Sequence, residues 1–514
     1  MADAARVFLN FTQGWPRFGP GRAVRTARPK PTAASGVGKG EVPRTDEPPL
    51  GRRFPLLRVL PLSSVIAQGY EGEKGGPSTS LLALFLSCSA FMTFSIPLGA
   101  SCDEAKTLRS MIWGGCRPEG LRPAAWRLLL GYTPPTLRRQ PHELLRKRAI
   151  YEEYIHQYIQ LSEVEAHIAQ ISARRGEGDL HDAAGEASTS GVFSFSLSTS
   201  GGGSSLIPHE KAILHQIARD LPRHRASVYH CGRTLAAMAR SLFLWSQRHP
   251  AVGYVQGMDD LLGVFFQIFL ADGLRQRAFE QDSSFPTAEA ADEGILRDLT
   301  APGIITGPTL QGWGVDRLNA ALVDLPEADL LQIEADTYWC ASRVLSLLQD
   351  NYVPGQKGLI KSATRLEGIL ATADPILFTF LSQSGVRLLD SCFQWIHCLL
   401  VRELPLPLLL RLWDTYFAVG DDHLLRFHLY ICAALVMNLR SALLGSTMDQ
   451  VMLIMKNPFD YAKFPAEGHP KRSIPPEEGG KAAMGFEEPP KEESLWLEIL
   501  IAEAYRLWRQ YPSL

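Results

Sequence analysis

The chain repeatedly places apolar residues three or four positions apart, and no stretch sustains the apolar–polar alternation typical of a half-buried strand. Polar turns bounded by proline or glycine separate these periodic segments. Such segments must bury their apolar faces helix against helix, so we predict an all-α, multi-helix domain. The predicted helices span residues 103–111, 142–160, 209–219, 234–247, 259–270, 326–351, 360–381, 386–404, 408–416, 424–444 and 495–508.

Composition divides the chain into three parts. Residues 1–76 are rich in Arg, Pro and Gly and lack apolar periodicity, so we expect a disordered, basic N-terminal region. The alternative for this region is a targeting or membrane-surface arm. Residues 103–510 carry the helical pattern. Inside this third part, stretches rich in Ser, Gly and Pro predict loop insertions at about 175–206, 272–325 and 463–491.

The part between them, residues 77–102, contains an uncharged apolar segment. Its centre, residues 81–100, has about the length that spans a bilayer, but serine, threonine and proline dilute it. A membrane anchor, a core or interfacial helix, and an unstructured segment all fit this composition. If the segment spanned a membrane, the upstream basic residues would favour a cytosolic N-terminus, which would place residues 103–510 on the opposite side of the membrane.

Charge and motif searches exclude several classes of function. A net charge of −2 gives no signature of nucleic-acid binding. The eight cysteines form no C-x-x-C pair, and most lie in apolar helical patterns, which indicates buried thiols rather than a metal site or disulfides. The chain lacks a G-x-x-x-x-G-K-[ST] loop, a G-x-S-x-G elbow and an H-E-x-x-H pair. We therefore expect no metal, no cofactor and no nucleotide site of its own.

Two short segments combine residue types suited to phosphate chemistry. An arginine follows a proline directly after the helix predicted at 209–219, and a glutamine lies in a glycine-bounded loop after the helix predicted at 234–247. An arginine presents a charged, planar fork of donors to phosphate oxygens, and a glutamine amide can both donate to and accept from a water. The segments read I-x-x-D-x-x-R, with Ile217, Asp220 and Arg223, and Y-x-Q-G, with Tyr254, Gln256 and Gly257.

Together these segments resemble the paired fingers of TBC domains, the Rab GTPase-activating proteins. Three further matches extend the resemblance over about residues 105–510: a Gly-rich turn leading into R-x-x-x-W at Arg122 and Trp126, the IEADTYWC segment at 333–340, and R-L-W-D at 411–414. The IEADTYWC segment resembles one subgroup of the family. From the residues alone, Trp126 and Trp413 are expected to pack inward, and Arg411 and Asp414 are expected to form local polar contacts rather than a catalytic group.

The resemblance implies catalysis in trans on a Rab-family small GTPase, which would itself bind GTP and Mg²⁺. It implies that Arg223 stabilises charge on the phosphates and that Gln256 orients the attacking water. Asp220 is expected to anchor the arginine loop or Arg223 itself, and Tyr254 and Gly257 are expected to shape the glutamine loop. Gly257 is also expected to permit close approach of the backbone to a partner. Arg122 and Trp126 are expected to support the fingers or to bind the GTPase.

A role in vesicle trafficking follows from the same resemblance, with a cytoplasmic protein peripheral to endomembranes and possible membrane association. The alternatives are a Rab-binding scaffold that does not accelerate hydrolysis and a membrane-associated adaptor using residues 81–100.

The sequence departs from the family pattern at Asp259, where the family commonly has asparagine. A carboxylate beside a phosphate site could weaken activity. If Asp259 instead caps the following helix, the change is harmless, because aspartate serves that role as well as asparagine.

Overall fold

A computed structural model describes residues 102–159 except 118 and 136–138, and residues 166–168, 206–281, 310, 312–462 and 490–513. All regular structure in these ranges is helical, so the predicted all-α fold class is confirmed. The predicted N-terminal region and residues 77–101 lie outside the described residues. None of the described helices combines the length and apolar character needed to cross a membrane.

The helices are numbered here in chain order. Short 3₁₀ turns at Glu119–Leu121, Leu221–Arg223, Ser227–Tyr229 and Pro458–Tyr461 lie between them. The helices are α1 Cys102–Trp113, α2 Arg122–Leu129, α3 Gln140–Tyr158, α4 Pro208–Asp220, α5 Gly232–Arg248, α6 Met258–Gln281, α7 Val315–Val323, α8 Glu327–Leu347, α9 Gln349–Tyr352, α10 Lys357–Ala373, α11 Pro375–Gln383, α12 Leu388–Ser391, α13 Phe393–Cys398, α14 Leu406–Val419, α15 Asp421–Asn438, α16 Arg440–Leu443, α17 Met448–Lys456 and α18 Lys491–Gln510.

Helix α6 forms the centre of the core. Its residues from Met258 to Leu270 are all buried, and it packs along α8 and against α5. An apolar helix of this kind, with no polar face, can be stable only when neighbours surround it. At the other end of the chain, α18 lies along α15, and α14 packs against α1.

Four predicted helices are divided in the structure, and the one predicted at 326–351 is α8 followed by the one-turn α9. Asp374 ends α10 and caps α11 by accepting a hydrogen bond from the Leu377 backbone N–H at 3.1 Å, so the helix predicted at 360–381 is two helices. The prediction of a single helix at 386–404 was wrong. Two short helices, α12 and α13, occupy this range, and α13 ends at Cys398 because Leu399 and Leu400 both adopt positive φ. The segment predicted at 424–444 is likewise α15 followed by the one-turn α16.

The predicted insertion at 272–325 was too long. Helix α6 continues to Gln281, and α7 occupies Val315–Val323 before α8 begins. The glycines and prolines that suggested a loop lie between these helices, where residues 282–309 are outside the described part of the chain. Most of the other two predicted insertions, at 175–206 and 463–491, also lies outside it.

The IEADTYWC segment lies in α8 and supplies buried charges to the core. Glu334 accepts hydrogen bonds from Tyr151 at 2.6 Å and from Arg240 at 2.5 Å. Asp336 accepts from three side chains at 2.6–2.8 Å: Tyr132 and Arg148, with Arg127 in an ion pair. Burial alone would raise the pKa of Asp336, but the charges of Arg148 and Arg127 outweigh burial and lower the pKa to about 2. Buried charges of this kind are stable only when their partners are present.

Candidate functional site

Arg223 lies at the end of the 3₁₀ turn that follows α4. Pro222 is not compatible with continuing the helix, and α4 ends at Asp220. The Arg223 side chain is 59% exposed, and its Nη1 lies 3.3 Å from Oδ1 of Asp220, the predicted anchor. One nitrogen of the guanidinium thus contacts a carboxylate, while more than half of the side chain is open to solvent.

Gln256 lies in the segment 249–257, called here the glutamine segment, between α5 and α6. Its side chain is exposed. The neighbouring Gly257 has φ of +103°, a conformation that favours glycine. A Cβ at Gly257 would lie 2.9 Å from both Cys398 and His397. The close packing at Gly257 is therefore against α13 of the same chain. The approach of a partner to its backbone stays a prediction.

The glutamine segment is tied to the arginine side by one buried carboxylate. The Tyr254 hydroxyl donates to Oδ2 of Asp220 at 3.2 Å, while Oδ1 of the same carboxylate faces Arg223. Burial raises the pKa of Asp220, and the nearby Asp259 charge adds to this, whereas Tyr254 and Arg223 oppose it. The exposed side chains of Arg223 and Gln256 therefore lie on two segments that the buried carboxylate of Asp220 joins.

A second link joins His224 to the start of α6. Its Nε2 lies 2.6 Å from Oδ2 of Asp259, and its ring stacks on Tyr229 with centroids 4.1 Å apart. The other carboxylate oxygen of Asp259 accepts from the Gly257 backbone N–H at 2.8 Å. Asp259 is 1% exposed. Its charge is therefore used inside the protein, in the first turn of α6, where a helix favours an anion.

The electrostatics of Asp259 agree with this internal role. Burial raises its pKa, but the hydrogen bond and charge of His224 and the Gly257 N–H outweigh burial, so the pKa of Asp259 lies below its ordinary value. The carboxylate remains ionised and paired, and it does not present a free negative charge beside Gln256.

Two residues far along the chain, His397 in α13 and Arg402 after it, contact the glutamine segment and the start of α6. His397 Nε2 lies 3.0 Å from the Gln256 carbonyl oxygen, and because a carbonyl can only accept, the ring donates. Burial lowers the pKa of His397, which favours the neutral ring. Arg402 pairs with Asp260 at 2.7 Å, one residue after Asp259. No local sequence signal marked His397 or Arg402, since both lie more than a hundred residues from the segment that they hold.

The structure does not bring Arg122 and Trp126 to this site. They are 2% and 0% exposed, and both bind Asp414: Arg122 Nε lies 3.1 Å from Oδ1, and Trp126 Nε1 donates to Oδ1 at 2.8 Å. The expected inward packing of Trp126 is present, and this burial leaves neither side chain a surface for a GTPase. The partners of Asp414 are nearly three hundred residues away, so the expectation that its contacts are local was wrong.

The thiols and histidines of the described residues form no metal site. Six free cysteines are buried, and no group of three potential ligands comes together within the described ranges. Burial raises the pKa of Cys398, which lies beside Gly257. A protonated, buried thiol packs as a small apolar group.

Comparison with known proteins agrees with this architecture. A family model described as the Rab-GTPase-TBC domain matches residues 203–444, which include both segments of the site. A solved structure, the Ypt/Rab-GAP domain of Gyp1p, shares the fold with a TM-score of 0.54 at 22% identity, covering 84% of this chain and 99% of that one.

Two curated relatives extend the similarity beyond the matched domain. The GTPase-activating protein gyp1 of Schizosaccharomyces pombe is 28% identical over 407 residues, which cover 79% of this chain and 61% of that protein. The human TBC1 domain family member 22A is 29% identical over 407 residues, with 78% and 62% covered. The chain thus spans less than two thirds of the length of either relative. Residues 203–444 of the chain thus match the Rab-GTPase-TBC domain model, and the chain as a whole is similar in fold and in sequence to proteins that carry this domain.

Proposed function

We propose that this protein accelerates GTP hydrolysis by a Rab-family GTPase and inserts Arg223 and Gln256 into the partner's nucleotide site. The observation that carries the proposal is the arrangement around Asp220. Its carboxylate is 2% exposed and bonds to Arg223 on one oxygen and Tyr254 on the other, while Arg223 and Gln256 themselves are exposed.

Arg223 supplies positive charge where the transition state needs it. Negative charge spreads over the oxygens of the transferred phosphoryl group, and an arginine delivered in trans accelerates hydrolysis by about 10³–10⁵. That factor corresponds to about 4–7 kcal/mol of barrier. Because Asp220 bonds to Nη1 only, the remaining guanidinium donors are directed to the partner. The anchor also limits how many conformations the side chain loses on docking.

Gln256 orients the attacking water. Its amide oxygen can accept from that water, and its amide N–H can donate to a phosphate oxygen. The backbone of Gln256 is fixed from inside by His397, so the exposed side chain projects from a rigid point. Preorganisation of this kind lowers the reorganisation needed in the transition state.

GTP and Mg²⁺ belong to the partner in this mechanism. A regulator of Rab GTPases acts where those GTPases act, so we place the protein at the cytoplasmic face of endomembranes, in vesicle trafficking. The identity of the GTPase is an outcome of the experiment below.

The test is single-turnover hydrolysis of GTP by a panel of purified Rab GTPases. We expect the full chain to accelerate at least one of them. Arg223→Ala should lower the accelerated rate by about 10³ or more. Gln256→Ala should lower it by about 10², because the water loses its alignment.

Arg225→Ala is the matched control. Arg225 is exposed and two residues from Arg223, so its loss removes the same charge from the same segment. We expect it to retain most of the rate. Equal acceleration by the wild type, Arg223→Ala and Gln256→Ala would contradict the proposal. Binding of a Rab without acceleration by the wild type would identify a scaffold instead.

A further inference from the structure

A cavity of about 650 Å³ is lined by residues of α1, α2, α3, α5, α8 and the start of α15, and neither Arg223 nor Gln256 lines it. Four cations and one carboxylate face it. The cations come from four different helices: Arg109 from α1, Lys147 from α3, Arg248 from α5 and Arg343 from α8. The volume is in the range of small-molecule sites.

Three of these cations form no salt bridge with an acidic side chain of the described residues. Arg343 pairs with Asp421, the carboxylate at the rim. Within the described part of the chain, no carboxylate forms an ion pair with Arg109, Lys147 or Arg248. Burial lowers the pKa of Lys147, and the charge of Glu143, one helical turn away, opposes this shift only in part. The cavity therefore concentrates uncompensated positive charge.

The cations are held in place by neutral groups. Arg109 donates to the carbonyl oxygens of Phe417 and Ala418 at 3.0 and 3.2 Å. The Lys147 ammonium lies 5.3 Å from the Trp339 ring centroid, and Trp339 in turn donates to the Lys147 carbonyl at 3.0 Å. These contacts fix the positions of the charges without neutralising them, which is the condition for a preformed anion site.

Arg248 is positioned in a similar way. Its guanidinium lies 3.8 Å from the Tyr154 ring centroid, and it is the last residue of α5. A favourable interaction with the end of the helix explains one cation at that place. It does not explain why Lys147, in the middle of α3, faces the same cavity.

We propose that this cavity binds a compact anion carrying several phosphate groups, of the inositol-phosphate type. Cations on separate helices match an anion with charges distributed around it better than a single carboxylate or phosphate. Such an anion occurs free in solution and as the headgroup of a phosphorylated lipid, and the chemistry of recognition is the same for both.

The test is calorimetric titration of the full chain with inositol trisphosphate, and flotation with phosphatidylcholine vesicles containing phosphatidylinositol bisphosphate. We expect binding of the soluble trisphosphate. The variant Lys147→Gln with Arg248→Gln should weaken it at least about tenfold, because two charged contacts are lost. Arg248→Gln alone, at an exposed position, should weaken it in part and keeps the test valid if Lys147 is needed for folding.

The matched control is Lys361→Gln with Arg509→Gln, which removes the same charge from exposed positions outside the cavity. We expect it to bind like the wild type. Vesicle binding with the same dependence on Lys147 and Arg248 would support a lipid headgroup as the source, and its absence would support the free anion. No binding of the trisphosphate, equal loss in the control, or displacement by inorganic phosphate at the same concentration would overturn the proposal.

Discussion

Asp220 is the residue on which the geometry of the site depends, because its two oxygens bond to different segments of the chain. Arg223 is its neighbour by one helical turn, but Tyr254 reaches it from beyond α5. A buried carboxylate that lost either donor would be left partly unsatisfied, at a cost of about 1–3 kcal/mol. The position of Gln256 is thereby coupled to that of Arg223.

Tyr254→Phe tests this coupling. The variant keeps the ring and removes only the hydroxyl that donates to Asp220, so we expect the Rab-stimulated rate to fall about tenfold. Substrate binding should change less than the rate. The measurement is single-turnover hydrolysis at several protein concentrations.

Tyr461→Phe, at an exposed tyrosine 38% accessible to solvent, is the control and should be neutral. A Tyr254→Phe protein that melts earlier but hydrolyses at the wild-type rate would show that the bond serves stability alone.

Glu403 gives a prediction for pH. Burial raises the pKa of Glu403 to about 7, and its Oε2 has no hydrogen-bond partner among the described residues. A raised pKa means that the folded state holds the proton more tightly. The contribution of this protonated carboxyl to the free energy of unfolding is fully present below the ordinary pKa of glutamate and is lost as pH rises through 7.

The Glu403→Gln variant has no carboxyl to titrate at this position, so it does not lose this part of its stability as pH rises. The free energy of unfolding of the variant relative to wild type should therefore rise between about pH 5 and pH 8, by up to about 3 kcal/mol. Urea titrations across that range measure it. Glu492→Gln, at an exposed position, should show no such trend. A flat difference for Glu403→Gln would mean that water reaches the carboxyl.

At the residue level the sequence identified the exposed residues of the site and their near neighbours, but not the distant residues that hold them in place. The motif spacing singled out Asp220, Arg223, Tyr254 and Gln256, all of which lie within one stretch of the chain. His397 was not predicted, because a histidine in an apolar helix carries no signal of a carbonyl that lies 141 positions away.

Among the elements, α8 is distinctive because charged side chains lie on its buried face. Glu334 and Asp336 alternate with apolar neighbours, so the helix has no simple apolar stripe. Each carboxylate bonds to cations from other helices. A buried pair adds little net stability, but removal of one partner leaves an unpaired charge. We infer that this segment specifies how α3 and α5 meet α8.

Asp336→Asn should therefore destabilise the fold strongly. It leaves Arg148 without its carboxylate and Arg127 with only Asp272, and we expect a loss of about 3–5 kcal/mol. Asp329→Asn, on the same helix but 39% exposed and 3.5 Å from Arg277, should cost less than about 1 kcal/mol. Denaturant titration compares the two. Similar small effects in both would show that the arginines find other partners.

The limits of helix prediction are visible at the same scale. Asp374-Pro375 is a local signal for a new helix, and the break there follows from cap chemistry. The positive φ values of Leu399 and Leu400 have no such signal, because leucine rarely adopts them. Tertiary packing imposes that turn: the Leu399 carbonyl accepts from Trp413 at 3.2 Å, and both leucines are fully buried.

At the scale of the whole molecule, the sequence specified an all-helical fold but not which helices would be neighbours. Periodicity identifies an apolar face without naming its partner. Thus a helix was predicted at 259–270, whereas its extension to Gln281 and the docking of α18 along α15 required the structure. The Asp414 cluster illustrates this, because it joins α14 to Arg122, Trp126 and the Cys116 backbone N–H from the opposite end of the chain.

The hydrogen bond from Tyr254 to Asp220 also sets a distance. Helix α5 is about 25 Å long at 1.5 Å per residue, yet a residue beyond its C-terminus contacts one before its N-terminus. The backbone positions that carry Arg223 and Gln256 are consequently held at a set separation in the unbound protein. We expect selectivity among GTPases to depend on whether the nucleotide pocket fits that separation, and not on the affinity for either side chain alone.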